Sequence, residues 1–117
     1  MMEQIIAVLN ENRSIHWIDI HNMRLQKFGD SLHVDCHVTL HYYNDLQQTH
    51  EEMEKIDELL NLHFENKVEF FIHPDPCKTS SCSICLLSNC PVRSNPFQQK
   101  IDWNLENILR NKAHQID

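Results

Sequence analysis

The sequence predicts an α+β domain in which two helices cover one face of a three-stranded sheet. The predicted order is helix, strand, strand, helix, strand, followed by a cysteine-rich loop and a last helix. Three observations predict it: strict apolar and polar alternation from Leu32 to His41, apolar residues recurring at three- and four-residue steps from Leu46 to Phe64, and a short strand-forming run from Val68 to His73 closed by two prolines. At 117 residues the chain can build one core and not two.

Each element follows from its residues. Ile5, Ile6, Val8 and Leu9 stand at helical spacing, which predicts an amphipathic helix over residues 3–12, closed near Asn10 to Asn12. From Ile15 to Lys27 the pattern is extended, with Ile18 and Ile20 on one side, and Gly29-Asp30 supplies a hairpin turn. In the next strand Leu32, Val34, Cys36, Val38 and Leu40 form an apolar face, while His33, Asp35, His37, Thr39 and His41 form a polar one. Asn44 or Asp45 can cap the second helix, whose Leu46, Met53, Ile56, Leu60 and Phe64 should pack on the apolar sheet face. Pro74 and Pro76 lack the backbone donors a ladder needs and are expected to end the third strand at His73. Residues 1–76 form the expected domain. Residues 77–117 form its appendage, a Ser-, Cys- and Asn-rich loop without periodicity and a helix carrying Ile101, Leu105, Ile108 and Leu109.

Composition narrows the function. The net charge of -7 argues against nucleic acid and anionic membrane surfaces, which reward clustered Lys and Arg. No apolar run approaches the ~20 residues needed to cross a bilayer, and no secretory signal opens the chain, so the cytoplasm is the default location. Nine His and five Cys in so short a chain point to a soft or borderline metal, because a reducing compartment disfavours disulfides.

Side chains four apart on a strand lie roughly 13 Å apart, so His33 and His37 cannot easily share one ion. His73-Pro74-Asp75-Pro76 places an imidazole and a carboxylate close together on a stiffened strand end. His50, at the edge of the second helix's apolar stripe, reads equally well as a half-buried structural residue. His16, His63 and His114 read as structural or solvated, with His114 in a tail expected to fray. Trp17 and Trp103 read as packing anchors, and Cys36 as core.

Cys82-Ser83-Ile84-Cys85 is a C-x2-C pair, with Cys77 and Cys90 near each side. These four are expected to hold a second zinc, which would order a loop with few apolar side chains; in a variant of this reading Cys77 joins Asp75 instead.

From Trp17 to Cys77 the chain resembles the cytoplasmic C-terminal domain of cation diffusion facilitators, exporters of zinc and related divalent metals. The resemblance is carried by Ile20-His21-Asn22-Met23-Arg24, Gly29, Val34-Asp35-Cys36-His37-Val38, His50-Glu51-Glu52 and Ile72-His73-Pro74-Asp75-Pro76, in that order. It implies a ferredoxin-like, metallochaperone-type fold, in agreement with the periodicity. It also implies a homodimer and a zinc site made by His21 at the end of the first strand, His37 on the second, His50 on the second helix, and His73 with Asp75 after the third. The cysteine cluster departs from that pattern. The implied function is a cytosolic metal-sensing and dimerisation domain that regulates the membrane domain of the same transporter. A stand-alone zinc-buffering or delivery protein is the alternative. An enzyme is not expected: Glu51 and Glu52 beside His50 could serve nominally as a base, but acidic residues in a first helical turn are already explained by the helix dipole.

Overall fold

The computed structural model describes residues 2–64 and 68–115. Helix α1 (Met2–Glu11) leads into strand β1 (Asp19–Phe28), β2 (Ser31–Leu40), helix α2 (Leu46–Phe64) and β3 (Val68–Pro76). A short 3-10 turn (Thr79–Ile84) and a one-turn helix α3 (Leu105–Ile108) complete the chain. The sheet runs β1-β2-β3, with β2 central, antiparallel to β1 and parallel to β3.

The alternation of β2 sets the layers. Val34, Cys36, Val38 and Leu40 are buried against Ile5, Ile6 and Leu9 of α1 and Ile56 and Leu60 of α2. Gly29 makes the hairpin: its φ of +60 suits the first central position of a two-residue turn, and a side chain there would meet nothing within 4 Å. Asp45 is the cap of α2. Its carboxylate accepts from the Gln48 backbone N–H (2.7 Å), and its own N–H donates to the Gln48 side chain (2.9 Å), a reciprocal capping box.

Several expectations are corrected. Ile15 and His16 turn rather than extend, with the Trp17 N–H donating to Ser14 O, and the strand begins at Asp19, just after the Ile18 N–H donates to Thr39 O. Strand β3 continues through both prolines to Pro76, because it is an edge strand. Pro74 and Pro76 share a parity whose backbone nitrogens face away from β2, while the Cys77 N–H donates to Leu40 O. Leu46 is exposed and outside the α2 stripe. The last helix is a single turn. Trp103 and Ile108 nevertheless enter the main core, with Arg13 stacked on the Trp103 ring. The loop after β3 builds its own apolar cluster of Ile84, Cys85 and Leu87 with Ile18.

β1 carries a bulge. His21 pairs with His37 but Arg24 pairs with Asp35, so Asn22 and Met23 share one opposing residue. Asn22 takes the left-handed conformation (φ 52), which Asn tolerates better than most, and its N–H donates to Arg110 O at 2.6 Å. That bond draws the C-terminal segment across the outer face of the sheet.

Candidate metal centre

The outer sheet face gathers the imidazoles by register. His21, His37 and His73 stand opposite one another on β1, β2 and β3. Their rings stack, with centroids 5.3 Å apart for His21 and His37 and 4.8 Å for His37 and His73. Asp75, two residues beyond His73 on the same face, places one carboxylate oxygen 3.1 Å from His37 Nδ1 and 3.3 Å from His21 Nε2. The donor atoms of His21, His37 and Asp75 all lie within 4.8 Å of one another, and no other set among the described residues meets that limit. Ligands around a tetrahedral zinc at 2.0–2.1 Å are roughly 3.3 Å apart, so the two carboxylate contacts already have coordination spacing. The donor set, two imidazoles and a carboxylate with positions left for further ligands, fits a borderline divalent ion.

A profile of the family described as "cation efflux protein, cytoplasmic domain" matches residues 1–77. The chain belongs to this family. No curated protein matches it significantly. Among solved structures, CzrB, described as a candidate zinc transporter, superposes with a TM-score of 0.59 at 18% identity, over 66% of this chain and 93% of that one. The metal-bound C-terminal domain of the CzcD transporter from Thermotoga maritima gives 0.54 at 21%, over 64% and 85%. The MamM C-terminal domain gives 0.54 at 16%, over 66% and 100%. These likenesses agree with the ferredoxin-like layering of helices on one face of the sheet. Among the described residues no helix of this cation efflux domain is long and apolar enough to cross a membrane.

The remaining residues singled out in the sequence fall elsewhere in the domain. His21 is the third residue of β1, not its end. His73 is half-exposed, its Nε2 3.9 Å from Asp35 Oδ1 and outside the converging set. His50 lies on the helix side of the sheet, bonded to Glu54 at 3.1 Å beside Phe70 and Ile72. Cys77, Cys82, Cys85 and Cys90 line a different cavity from the His21–His37–Asp75 centre. The Glu52 carboxylate is committed to the Trp17 ring N–H (3.2 Å) and to Lys55 (3.0 Å), which removes it as a free base. His33 pairs with Glu69 and packs between Phe28 and Phe71. His41, on the polar face of β2, is nevertheless buried: it meets His16 at 3.3 Å and stacks on Tyr43, and burial, together with the nearby His16, lowers its pKa.

Two residues of the site escaped sequence reasoning. Asp19 is buried behind His21, whose Nδ1 is 3.3 Å from Asp19 Oδ2, close but not aligned as a hydrogen bond. His114 is buried too, not frayed. Its backbone N–H donates to Asp19 at 2.7 Å, and its Nδ1 contacts the other carboxylate oxygen. Burial pushes the Asp19 carboxyl up, but the His114 donors and the nearby His21 ring outweigh it and hold it at about 2. Asp19 thus lies behind the His21 ring on its Nδ1 side, while His21 Nε2 faces Asp75. The Asp19-x-His21 spacing put both on one strand face; the contact with His114, far away in sequence, left no signal. A cavity of about 540 Å³ reaches His21, Thr39 and Asp75 and is rimmed by Lys78, Arg110 and Lys112.

Proposed function

We propose that this domain is the cytosolic metal sensor and dimerisation module of a zinc exporter. Zinc enters the centre of His21, His37 and Asp75, draws two copies together and biases the linked membrane domain toward transport. The observation that carries the reading is the Asp75 carboxylate held between two imidazoles at 3.1 and 3.3 Å on the outer face of a cation efflux domain. That face is half-open at His37, His73 and Asp75, and it exposes Phe28 and Phe71 at its far end, as a surface meant for a second copy would. In this reading His50 is a ligand given by the second copy, because the sheet separates it from His37 within one chain. His73 lies beside the centre and joins when a second ion or the partner turns its ring. Zinc can act only by binding the closed pair more tightly than the open one.

The test is the zinc-dependent melting temperature of the parent, His37→Ala and Asp75→Ala, with His33→Ala as the control. Zinc at 100 times its Kd stabilises the folded state by about 2.7 kcal/mol, or roughly 10 °C for a domain of this size. The shift should fall clearly in His37→Ala and Asp75→Ala, which lose the zinc of this centre, and be kept in full in His33→Ala. Equal shifts in all four proteins would reject the ligand set.

A further inference from the structure

We propose that Cys77, Cys82, Cys85 and Cys90 form a second metal site, a tetrathiolate that takes zinc or another thiophilic divalent ion and clamps the loop after β3 onto the sheet. This site is independent of the centre at Asp75. The four cysteines come from three segments, the end of β3, the 3-10 turn with its C-cap, and the following loop, and all of them line one cavity of about 290 Å³. Cys82 and Cys85 are the short chelate: the turn brings the Cys85 N–H to Cys82 O at 3.3 Å, so the two side chains leave one bend of backbone.

Thiolates need more than proximity. Each carries a charge that must be met by donors once water is excluded, and ligating sulfurs are accordingly surrounded by backbone N–H groups. That shell is already built here. The Tyr42 N–H donates to Cys77 Sγ at 3.4 Å. The Ser94 hydroxyl lies 3.7 Å from Cys82 Sγ, and backbone N–H groups of Asn95 and Leu87 lie near Cys82 and Cys85. The Tyr43 hydroxyl lies near Cys90. Cys77 and Cys82 therefore each have a donor at hydrogen-bond distance from outside the cysteine set, and Cys85 and Cys90 have polar N–H or O–H groups close by.

Arg93 supplies the remaining requirement. A zinc tetrathiolate has a net charge of about -2, and the Arg93 guanidinium lies against Cys82 and Cys85. The same group donates to the carbonyls of Cys82 (2.7 Å), Cys85 (2.9 Å) and Leu87 (2.7 Å), fixing the backbone that presents the chelate. The sulfurs ring the cavity without three of them closing to a mutual 4.8 Å. Closure onto an ion with Zn–S bonds of about 2.3 Å then asks for side-chain rotation on a backbone already in place. The gain is a cross-link: Cys85 is part of the small cluster with Ile18, Ile84 and Leu87, and Cys77 and Cys90 pack on it. A metal there would join that cluster to β3.

The experiment is a Co(II) titration of the full chain, reduced and free of oxygen, followed by absorption. The thiolate-to-cobalt charge-transfer bands, which only the cysteines can give, should grow to saturation. They should persist in His37→Ala/Asp75→Ala, which separates this site from the sensor centre, and disappear in Cys82→Ser/Cys85→Ser. Excess zinc should bleach them. A parent that shows no charge-transfer band with Co(II) in excess overturns the proposal, as does an undiminished band in the Cys82→Ser/Cys85→Ser protein. Should that variant not fold, Cys90→Ser decides: its charge-transfer intensity should fall to about three-quarters of the parent's, one thiolate in four being lost, and an unchanged band again rejects the site.

Discussion

Replacing Asp19 by Asn should loosen the C-terminal segment from the sheet and lower the stability of the whole domain. The carboxylate is buried and meets the His114 N–H at 2.7 Å, the His114 ring on its other oxygen and His21 at 3.3 Å. Asn keeps the shape but offers one acceptor oxygen, so at least one donor faces an NH2 group. Losing a hydrogen bond to a charged acceptor costs about 1.5–3 kcal/mol. The carboxyl tells the same story: moving it from 3.8 to about 2 corresponds to about 2–3 kcal/mol. Because the folded value is depressed, that stability is full above about pH 4 and is lost as the pH falls through 2. For a domain of this size about 2 kcal/mol lowers the melting temperature by roughly 6–12 °C. Calorimetry in the absence of metal measures it. Amide exchange gives the local readout: the N–H of His114 and that of Asn22, bonded to Arg110 O at 2.6 Å, should exchange faster, while β2 and β3 stay protected. A melting temperature within about 2 °C of the parent, with unchanged exchange at both amides, would refute the docking role given to Asp19 and His114.

Two further outcomes follow from single contacts. Cys36 is buried in the core, and burial, aided by the neighbouring Asp35 charge, pushes its thiol up to about 12, so a thiol reagent at pH 8 should label it only after unfolding, while in the native protein stripped of metal the half-exposed Cys82 reacts; native labelling of Cys36 would contradict its place in the core. Asp45→Ala removes the cap of α2 and should cost about 1 kcal/mol, or a few degrees of melting temperature in the absence of metal; an unchanged melting temperature would contradict the capping role of Asp45.

Much of the fold was legible because its signals are local. The alternation in β2 and the stripe of Ile56 and Leu60 in α2 are one-dimensional records of which face meets the core. The proline boundary of β3 was misread because a sequence does not show which strands are at an edge, and only there can a nitrogen without hydrogen sit in a ladder. His73 and Asp75 stand out in the His-Pro-Asp-Pro strand end itself, whereas the choice of His21 and His37 rests on the resemblance; the structure then separates the four, three donors converging while His73 stacks alongside. His50 shows the limit most clearly, since its place on the helix side of the sheet depends on how α2 packs. Asp19, His114 and His41 were missed or misjudged for one reason. Their burial is created by the C-terminal segment and the cysteine loop folding back over the outer face, and those segments have no periodicity from which a contact could be read.

Native mass spectrometry of the chain purified without chelator tests the central claim most directly, because it counts zinc and copies together. The parent should appear as a dimer that carries zinc, and Asp75→Ala should lose the zinc held by His21 and His37 and show more monomer, while any zinc on the cysteines remains. A parent that stays monomeric and metal-free with zinc supplied, or an Asp75→Ala protein with the parent's zinc count and mass distribution, would contradict the account.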